Sequence, residues 1–336
     1  MPLPERQLIA QLRRTVKGLP RAHRKASVIC GIGDDCAVLR AAPGLDWLVT
    51  TDFSLEGMHF RRDWHPAESV GHRCLTRGLS DIAAMGGTPL AAFLSLAVPK
   101  QLPQSWITSF TRGLLRLATR YGVTLAGGDT AESPNGVLAD IVVLGTVPKG
   151  KAILRSGARP GDRIFVSGVL GESTAALERL GRGKKTAARG YERHFFPQPR
   201  IDLGCLLRER RIATAMIDTS DGLSTDLSHI CEESRVGAEI DSMRIPCAQV
   251  GKAARKVVLE RALHGGEDYE LLFTVSPQTA VPPKLAGVRL TEIGRIKRGR
   301  QILVRDENGS ARKLEPHGWE HFGHEHVARA PRPRFG

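Results

Sequence analysis

Six short acidic patches, each set among glycines or small polar residues, punctuate a chain of 336 residues whose formal net charge is +14. They are Gly31-Ile32-Gly33-Asp34-Asp35, Thr50-Thr51-Asp52, Ser80-Asp81, Gly127-Gly128-Asp129, Asp218-Thr219-Ser220-Asp221-Gly222 and Gly265-Gly266-Glu267-Asp268. Four of them follow or end short apolar runs, where a strand is expected to stop and a loop to begin. Taken singly, each Asp reads as well as a cap or an Asx-turn. Taken together they restrict the fold, because crowded carboxylates repel and raise one another's pKa. A convergent set therefore implies hard cations such as Mg²⁺, which takes oxygen ligands and usually arrives with phosphates.

The chain is 41% hydrophobic and 25% charged, long enough for two domains with full cores. Its first fifteen residues carry Glu5, Arg6, Arg13 and Arg14 with no apolar core, so no signal peptide is expected. The longest nearly apolar run, Pro89 to Pro99, is about half a membrane span. A soluble, cytoplasmic protein without a membrane role is the expectation. Cys30, Cys36, Cys74, Cys205, Cys231 and Cys247 include no Cys-x-x-Cys pair, which argues against structural zinc and a redox motif. The positive excess lies in runs such as Arg179 to Arg193, Arg208 to Arg211, Arg295 to Arg300 and Arg329 to Arg334. Only 5% of residues are aromatic and no recognition motif accompanies the runs. Attraction of anionic substrates is thus expected ahead of nucleic-acid binding as a main role.

Apolar spacing predicts helices over Leu3 to Leu19, Ala67 to Met85 and Trp106 to Tyr121, the second opened by Pro66 and closed by Gly86-Gly87. Strands are expected at Val28 to Cys30, Ala37 to Leu39, Trp47 to Thr51, Leu90 to Val98, Val123 to Ala126 and Val137 to Val147. Pro148, Gly150, Gly157, Pro160 and Gly161 then crowd together, which sets a boundary. The expected domains are 1–150, 151–327 and a disordered basic tail, 328–336. In the second half, strands near Arg163 to Ser167, Ala213 to Ile217, Val236 to Ile240, Glu270 to Val275 and Leu290 to Ile296 alternate with helices. The helices fall near Glu172 to Leu180, Arg200 to Arg211, Leu223 to Ser234 and Val250 to Ala262. Gly181 to Arg193 reads as a mobile basic loop. Such alternation means an α/β or α+β layered fold.

The common phosphate cradles are missing. Gly181-Arg182-Gly183-Lys184-Lys185-Thr186 lacks the P-loop spacing, and Asp52-Phe53-Ser54 is not Asp-Phe-Gly. The run Gly31-Ile32-Gly33 fails the dinucleotide fingerprint at its third glycine.

Six segments in order resemble the thiamine-monophosphate kinase family, of the superfamily that includes aminoimidazole ribonucleotide synthetase and selenophosphate synthetase. They are Gly31 to Leu39, Thr50 to Phe60, Leu79 to Gly86, Ala126 to Thr130, Arg155 to Asp162 and Ile217 to Leu227. A seventh is Gly265-Gly266-Glu267-Asp268-Tyr269-Glu270-Leu271-Leu272-Phe273. The resemblance implies a two-domain aminoimidazole ribonucleotide synthetase-like fold whose N-terminal strands form a barrel across a homodimer. It implies ATP-dependent phosphorylation of thiamine monophosphate to thiamine diphosphate with several Mg²⁺ ions, K⁺ being a further candidate. By motif, Asp35, Thr50, Thr51, Asp52, Asp81, Asp129, Asp218 and Asp221 would hold metal, with Asp34 orienting the first loop. Gly128, Asp129, Arg155 and Ser220 would contact ATP, while His59, Glu267 and Trp319 would contact the thiamine phosphate. Asp52, Asp129 and Asp221 are the carboxylates expected to be essential for turnover. The acceptor phosphate is already an anionic nucleophile, so direct in-line transfer needs no general base and rests on positioning and charge neutralisation. The competing reading is another ATP-dependent synthetase of the superfamily, selenophosphate synthetase-like, although Cys30 lacks the glycine-rich setting of a reactive cysteine. His317, His321, His324 and His326 read as a solvated turn rather than a metal site.

Overall fold

A computed structural model describes residues 28–30, 34–40, 43–184, 188–251 and 253–320. The expected helix Leu3 to Leu19 and the tail after residue 320 lie outside these residues. The first half supplies strands β1 (Val28–Cys30), β2 (Ala37–Arg40) and β3 (Leu45–Leu55), helix α1 (Ala67–Ala84), β4 (Thr88–Val98), α2 (Gln104–Arg120), β5 (Thr124–Glu132) and β6 (Leu138–Pro148). The strands form one sheet in the order β1-β2-β3-β6-β4-β5, with only the β4–β5 edge parallel. β3 and β6 pair along their whole length, from Leu45 opposite Pro148 to Leu55 opposite Leu138. Side chains alternate in consequence: Leu48, Thr50 and Ser54 are buried beneath α1, while Thr51 and Phe53 are exposed on the opposite face.

α1 is buried nearly all round, as a helix packed on several sides must be. One flank meets β3 and β6, another meets α2, and a third meets the second half of the chain. The α1–α2 approach depends on Gly71 and Gly113, where an added Cβ would lie 1.9 Å from the Phe110 carbonyl and 1.8 Å from that of Glu68.

The second half supplies β7 (Arg163–Ser167), α3 (Glu172–Gly181), α4 (Glu192–Phe195), α5 (Ile201–Glu209), β8 (Ala213–Asp218), α6 (Leu223–Ser234) and β9 (Gly237–Asp241). The chain continues with β10 (Gln249–Val250), β11 (Arg255–Lys256), α7 (Leu259–His264), β12 (Leu271–Val275), β13 (Lys284–Leu285), β14 (Val288–Lys297), β15 (Ile302–Arg305) and β16 (Ala311–Lys313). Its main sheet runs β16-β15-β9-β14-β7-β12-β8, with β13 attached to β14. β12 is buried on both faces. Leu271, Phe273 and Val275 face the core shared with the first half, and Leu272 faces a second core under α6 and α7. Phe273 stacks on Phe165 with ring centroids 5.6 Å apart. Each such buried side chain contributes ~1.5–3 kcal/mol of transfer free energy.

Three expectations are corrected. First, half of the acidic patches do not lie in loops: Asp52 and Asp129 sit inside β3 and β5, and Asp81 sits in α1. Second, Val250 to Ala262 is not a helix but the β10–β11 hairpin followed by α7. Gly251 at φ +71° and Ala254 at φ +47° turn the chain back, and the β-branched Val257-Val258 pair favours extended backbone. Third, the end of the basic stretch is anchored. The Arg193 backbone N–H donates to Glu172 Oε1 at 2.8 Å, Arg193 Nη1 reaches Glu270 Oε1 at 2.8 Å, and His194 is buried.

Candidate active site

Three carboxylates from distant parts of the chain meet where α1 crosses the end of β8. Asp35 comes from the β1–β2 connection, Asp81 from the last turns of α1, and Asp218 from the end of β8; one oxygen of each lies within 4.8 Å of the others. Neutral hydroxyls hold two of them: Ser80 Oγ donates to Asp218 Oδ2 at 2.6 Å, and Thr50 Oγ1 donates to Asp81 Oδ2. The third is gripped by Arg155, whose Nε and Nη2 donate to the two oxygens of Asp35 at 3.2 and 2.8 Å. The Arg155 backbone N–H turns the other way, onto Asp34.

One guanidinium does not balance this concentration of charge. Burial, then the neighbouring acids Asp218, Asp35 and Asp52, push the Asp81 carboxyl well above its ordinary range. Asp218 is raised in the same direction by burial and then by Asp35. Burial and Asp35 push Asp34 up to about 7 against the pull of Arg155. A bound cation would reverse that balance, and an all-oxygen donor set suits a hard divalent ion. The adjacent Cys36 is no competitor for a ligand place: burial, then Asp81, raises its thiol pKa well above the ordinary value, so it stays protonated.

The other sequence candidates fall into two groups. Asp52 and Asp221 flank the cluster, Asp52 adding to the repulsion on Asp81 and Asp221 to that on Asp218. Thr51 and Asp129 lie outside it. Thr51 Oγ1 donates to Asp140 Oδ1 at 2.7 Å, on the face of the first sheet turned away from α1. Asp129 is exposed, pairs with Ser95 across β4–β5, and accepts the Thr130 N–H at 2.8 Å. Gly128 sits at φ +149°, where a Cβ would come within 1.8 Å of the Leu94 carbonyl, so only glycine lets β5 lie this close to β4.

Beyond β8, the 218–221 turn and the 265–270 segment clasp each other. Glu267 N–H donates to Ser220 O at 2.8 Å, Tyr269 N–H to Thr219 O at 2.9 Å, and Thr219 N–H to Glu270 O at 2.8 Å. The clasp holds Glu267 at φ +63° and Tyr269 at φ +52°. The Glu267 carboxylate meets Arg73 and Arg77 of α1 at 2.6 Å each. Burial alone would raise its pKa, but the two guanidiniums outweigh burial and hold it far below the ordinary carboxylate range. His59 uses Nδ1 to accept the Leu55 N–H at 3.0 Å, and it lines a crevice together with Arg73 and Arg77. Trp319 docks through its backbone, donating to Asp221 O at 2.9 Å, while Gly318 N–H donates to Thr225 Oγ1 at 3.0 Å.

Sequence reasoning missed Arg73, Arg77 and Asp226. The first two were signalled by a basic pair four residues apart inside a helix otherwise buried. Asp226 is 1% exposed beside this turn, accepting the Gly222 N–H at 2.9 Å.

The neighbouring Asp268 gives a test of the burial argument. Its Oδ2 accepts the Gly171 N–H at 2.6 Å, and burial pushes its carboxyl up to about 8. A raised carboxyl contributes stability that is complete below its ordinary 3.8 and is lost as pH rises through about 8. Asp268→Asn, which cannot ionise, is therefore expected to flatten the decline of melting temperature across that window. The difference from the parent protein should reach ~1.4 kcal/mol per pH unit at its steepest. Parallel melting curves for the two proteins would refute it.

The fold and site place the chain among the AIR synthase related proteins. Residues 33–147 match the family model for the N-terminal domain of AIR synthase related proteins, and residues 159–306 match that for the C-terminal domain. A thiamine-monophosphate kinase of Bacillus subtilis is 35% identical over 318 residues, covering 90% of this chain and 96% of the relative. One from Escherichia coli K12 is 38% identical over 311 residues, covering 89% and 93%. Among solved structures, AaThiL complexed with AMPPCP and TMP superposes with a TM-score of 0.81 at 33% identity, covering 95% of this chain and 97% of that one. The chain belongs to the thiamine-monophosphate kinase family, and it is a kinase.

Proposed function

We propose that the protein transfers the γ-phosphoryl group of ATP to the phosphate of thiamine monophosphate, giving thiamine diphosphate and ADP. The observation that carries this reading is the half-buried, oxygen-only cluster of Asp35, Asp81 and Asp218, under-balanced by Arg155 alone. These three, with Asp52 and Asp221 beside them and the Thr50 hydroxyl behind Asp81, would hold Mg²⁺. Bound Mg²⁺ would supply positive charge that neutralises the phosphates. Arg155, Ser220, Gly128 and Asp129 are assigned to the nucleotide side. His59, Glu267 and Trp319 are assigned to the acceptor side. An oxygen of the acceptor phosphate forms the new bond to Pγ while the bond from Pγ to the β-phosphate oxygen breaks, and ADP leaves with the electron pair. The acceptor enters as an anion, so no side chain has to remove a proton, and no covalent enzyme intermediate forms.

A homodimer is part of the same reading. Leu45, Phe53 and Leu138 expose large apolar side chains on the face of the first sheet turned away from α1. Among the described residues no helix is long and apolar enough to cross a membrane. The decisive assay incubates the protein with Mg-ATP and thiamine monophosphate and looks for thiamine diphosphate. No product, with ATP turnover on a different phosphate acceptor, would overturn the assignment.

A further inference from the structure

A serine or threonine inside a helix ordinarily turns its hydroxyl back onto the carbonyl one turn earlier. Thr76 of α1 does so, its Oγ1 donating to the His72 carbonyl at 2.9 Å. Ser80, four residues further on the same face, does not. Its Oγ leaves the helix and donates to Oδ2 of Asp218 at 2.6 Å, with both residues buried. Thr50 of β3 repeats the pattern, its Oγ1 donating to Oδ2 of Asp81. Arg155 covers both oxygens of Asp35.

The three carboxylates carry six oxygens, and four of them are thereby engaged: both of Asp35, and Oδ2 of Asp81 and of Asp218. Among the described residues, Oδ1 of Asp81 and Oδ1 of Asp218 accept no hydrogen bond. A carboxylate whose plane is fixed by a donor on one oxygen meets a cation end-on, through the other. Mg²⁺ suits that arrangement, because it demands near-octahedral geometry at about 2.0–2.1 Å and has little use for a wide, two-oxygen ligand. Ca²⁺ takes six to eight oxygens at about 2.3–2.6 Å and gains from carboxylates that give both. The two hydroxyls are also neutral. A lysine or arginine in their place would fix the carboxylates as firmly but cancel charge that draws the cation in.

We infer that Ser80 and Thr50 set the cation preference of the cluster, holding Asp218 and Asp81 to one free oxygen each and so favouring a small divalent ion, Mg²⁺, over a large one, Ca²⁺. The inference rests on the reading of the cluster as a divalent-cation site, and its test separates the two. The probes are MgCl₂ and CaCl₂, each titrated into the nucleotide-free protein, with heat of binding and shift of melting temperature as readouts.

Ser80→Ala frees Asp218 to turn and offer both oxygens. The ratio of Ca²⁺ to Mg²⁺ affinity is expected to move at least ~10-fold toward Ca²⁺ relative to the parent protein. Thr50→Val, which removes the hydroxyl at nearly constant shape, should move the ratio in the same direction, while Thr50→Ser keeps the hydroxyl and should keep the parental ratio. A hydroxyl that served packing alone would change the melting temperature and leave the ratio where it was. An unchanged ratio in Ser80→Ala would overturn the inference. Should that variant fail to fold, Thr50→Val carries the same expectation and the same refutation. If the parent protein binds neither cation, the cation site itself falls and this inference with it. Binding by the parent with no change of ratio in either variant leaves the site and discards only the role of the hydroxyls.

Discussion

Asp81→Asn and Asp218→Asn are each expected to lower turnover by ~10²–10³-fold or more, the scale of losing one preorganised electrostatic element of a phosphoryl-transfer site. The same substitutions should raise the melting temperature of the metal-free protein. Both carboxyls are pushed up by burial and by neighbouring acids, Asp218 then Asp35 on Asp81 and Asp35 on Asp218, so without a cation each ionisation works against folding. The sign follows from linkage: a raised carboxyl loses its contribution to stability as pH rises, and an amide has none to lose. Asparagine keeps an acceptor for the Ser80 or Thr50 hydroxyl, so the local hydrogen bonds survive. Over 336 residues each kcal/mol of relieved repulsion would appear as ~1–2 °C. Saturating Mg²⁺ should stabilise the parent protein more than either variant. Near-parental activity in both variants, or equal Mg²⁺ stabilisation of all three proteins, would remove the cluster from the chemistry.

Arg155→Met carries the second large effect, opposite in sign for stability. Arg155 is the cation closest to the cluster, paired with an Asp35 side chain only 2% exposed. Removing it leaves Asp35 facing Asp81 and Asp218 with no compensating charge, a change worth ~3–5 kcal/mol for a buried pair that loses one partner. Methionine retains much of the hydrophobic stem, so packing loss contributes little. Because a divalent cation can supply the missing charge, the destabilisation should shrink in saturating Mg²⁺. The KM for ATP is expected to rise ~10-fold or more as the planar fork to phosphate is lost. Denaturant melts with and without Mg²⁺ read the first part, and initial rates at varied ATP read the second. Equal destabilisation in both melts would show that Arg155 does not balance a cation site.

Much of the fold follows from local chain chemistry. The segments Arg163–Ser167 and Leu223–Ser234 lie where apolar spacing and the flanking glycines place them. The hairpin at Gln249 to Lys256 does not, because Ala254 adopts a left-handed conformation that nothing local favours. The acidic patches were legible as a group, yet their supports were not. A Gly-Gly-Asp run suggests a turn, and here β4 captures it as part of an edge strand. Asp129 consequently lies apart from the three acids that converge. Glu267 was legible as a site residue through its motif, but its partners came from a helix nearly two hundred residues earlier, a distance that no spacing rule spans. Arg73 and Arg77, four residues apart, share one helix face in the sequence, but nothing local says what that face meets. Only the packing of α1 between the two halves turns that surface inward.

The burial of α1 on several sides has a metric consequence. One rigid rod presents Arg73 and Arg77 toward the Glu267 clasp, and Ser80 and Asp81 toward the end of β8. At 1.5 Å per residue, the eight steps from Arg73 to Asp81 set an axial separation of ~12 Å. The helix therefore works as a ruler between the Arg73 and Arg77 pair and the carboxylate cluster, indifferent to movements of the loops at either end. Inserting one residue between Arg77 and Ser80 would turn the two ends by ~100° relative to each other, so the length of molecule that can reach from one to the other is written into the pitch of a single helix.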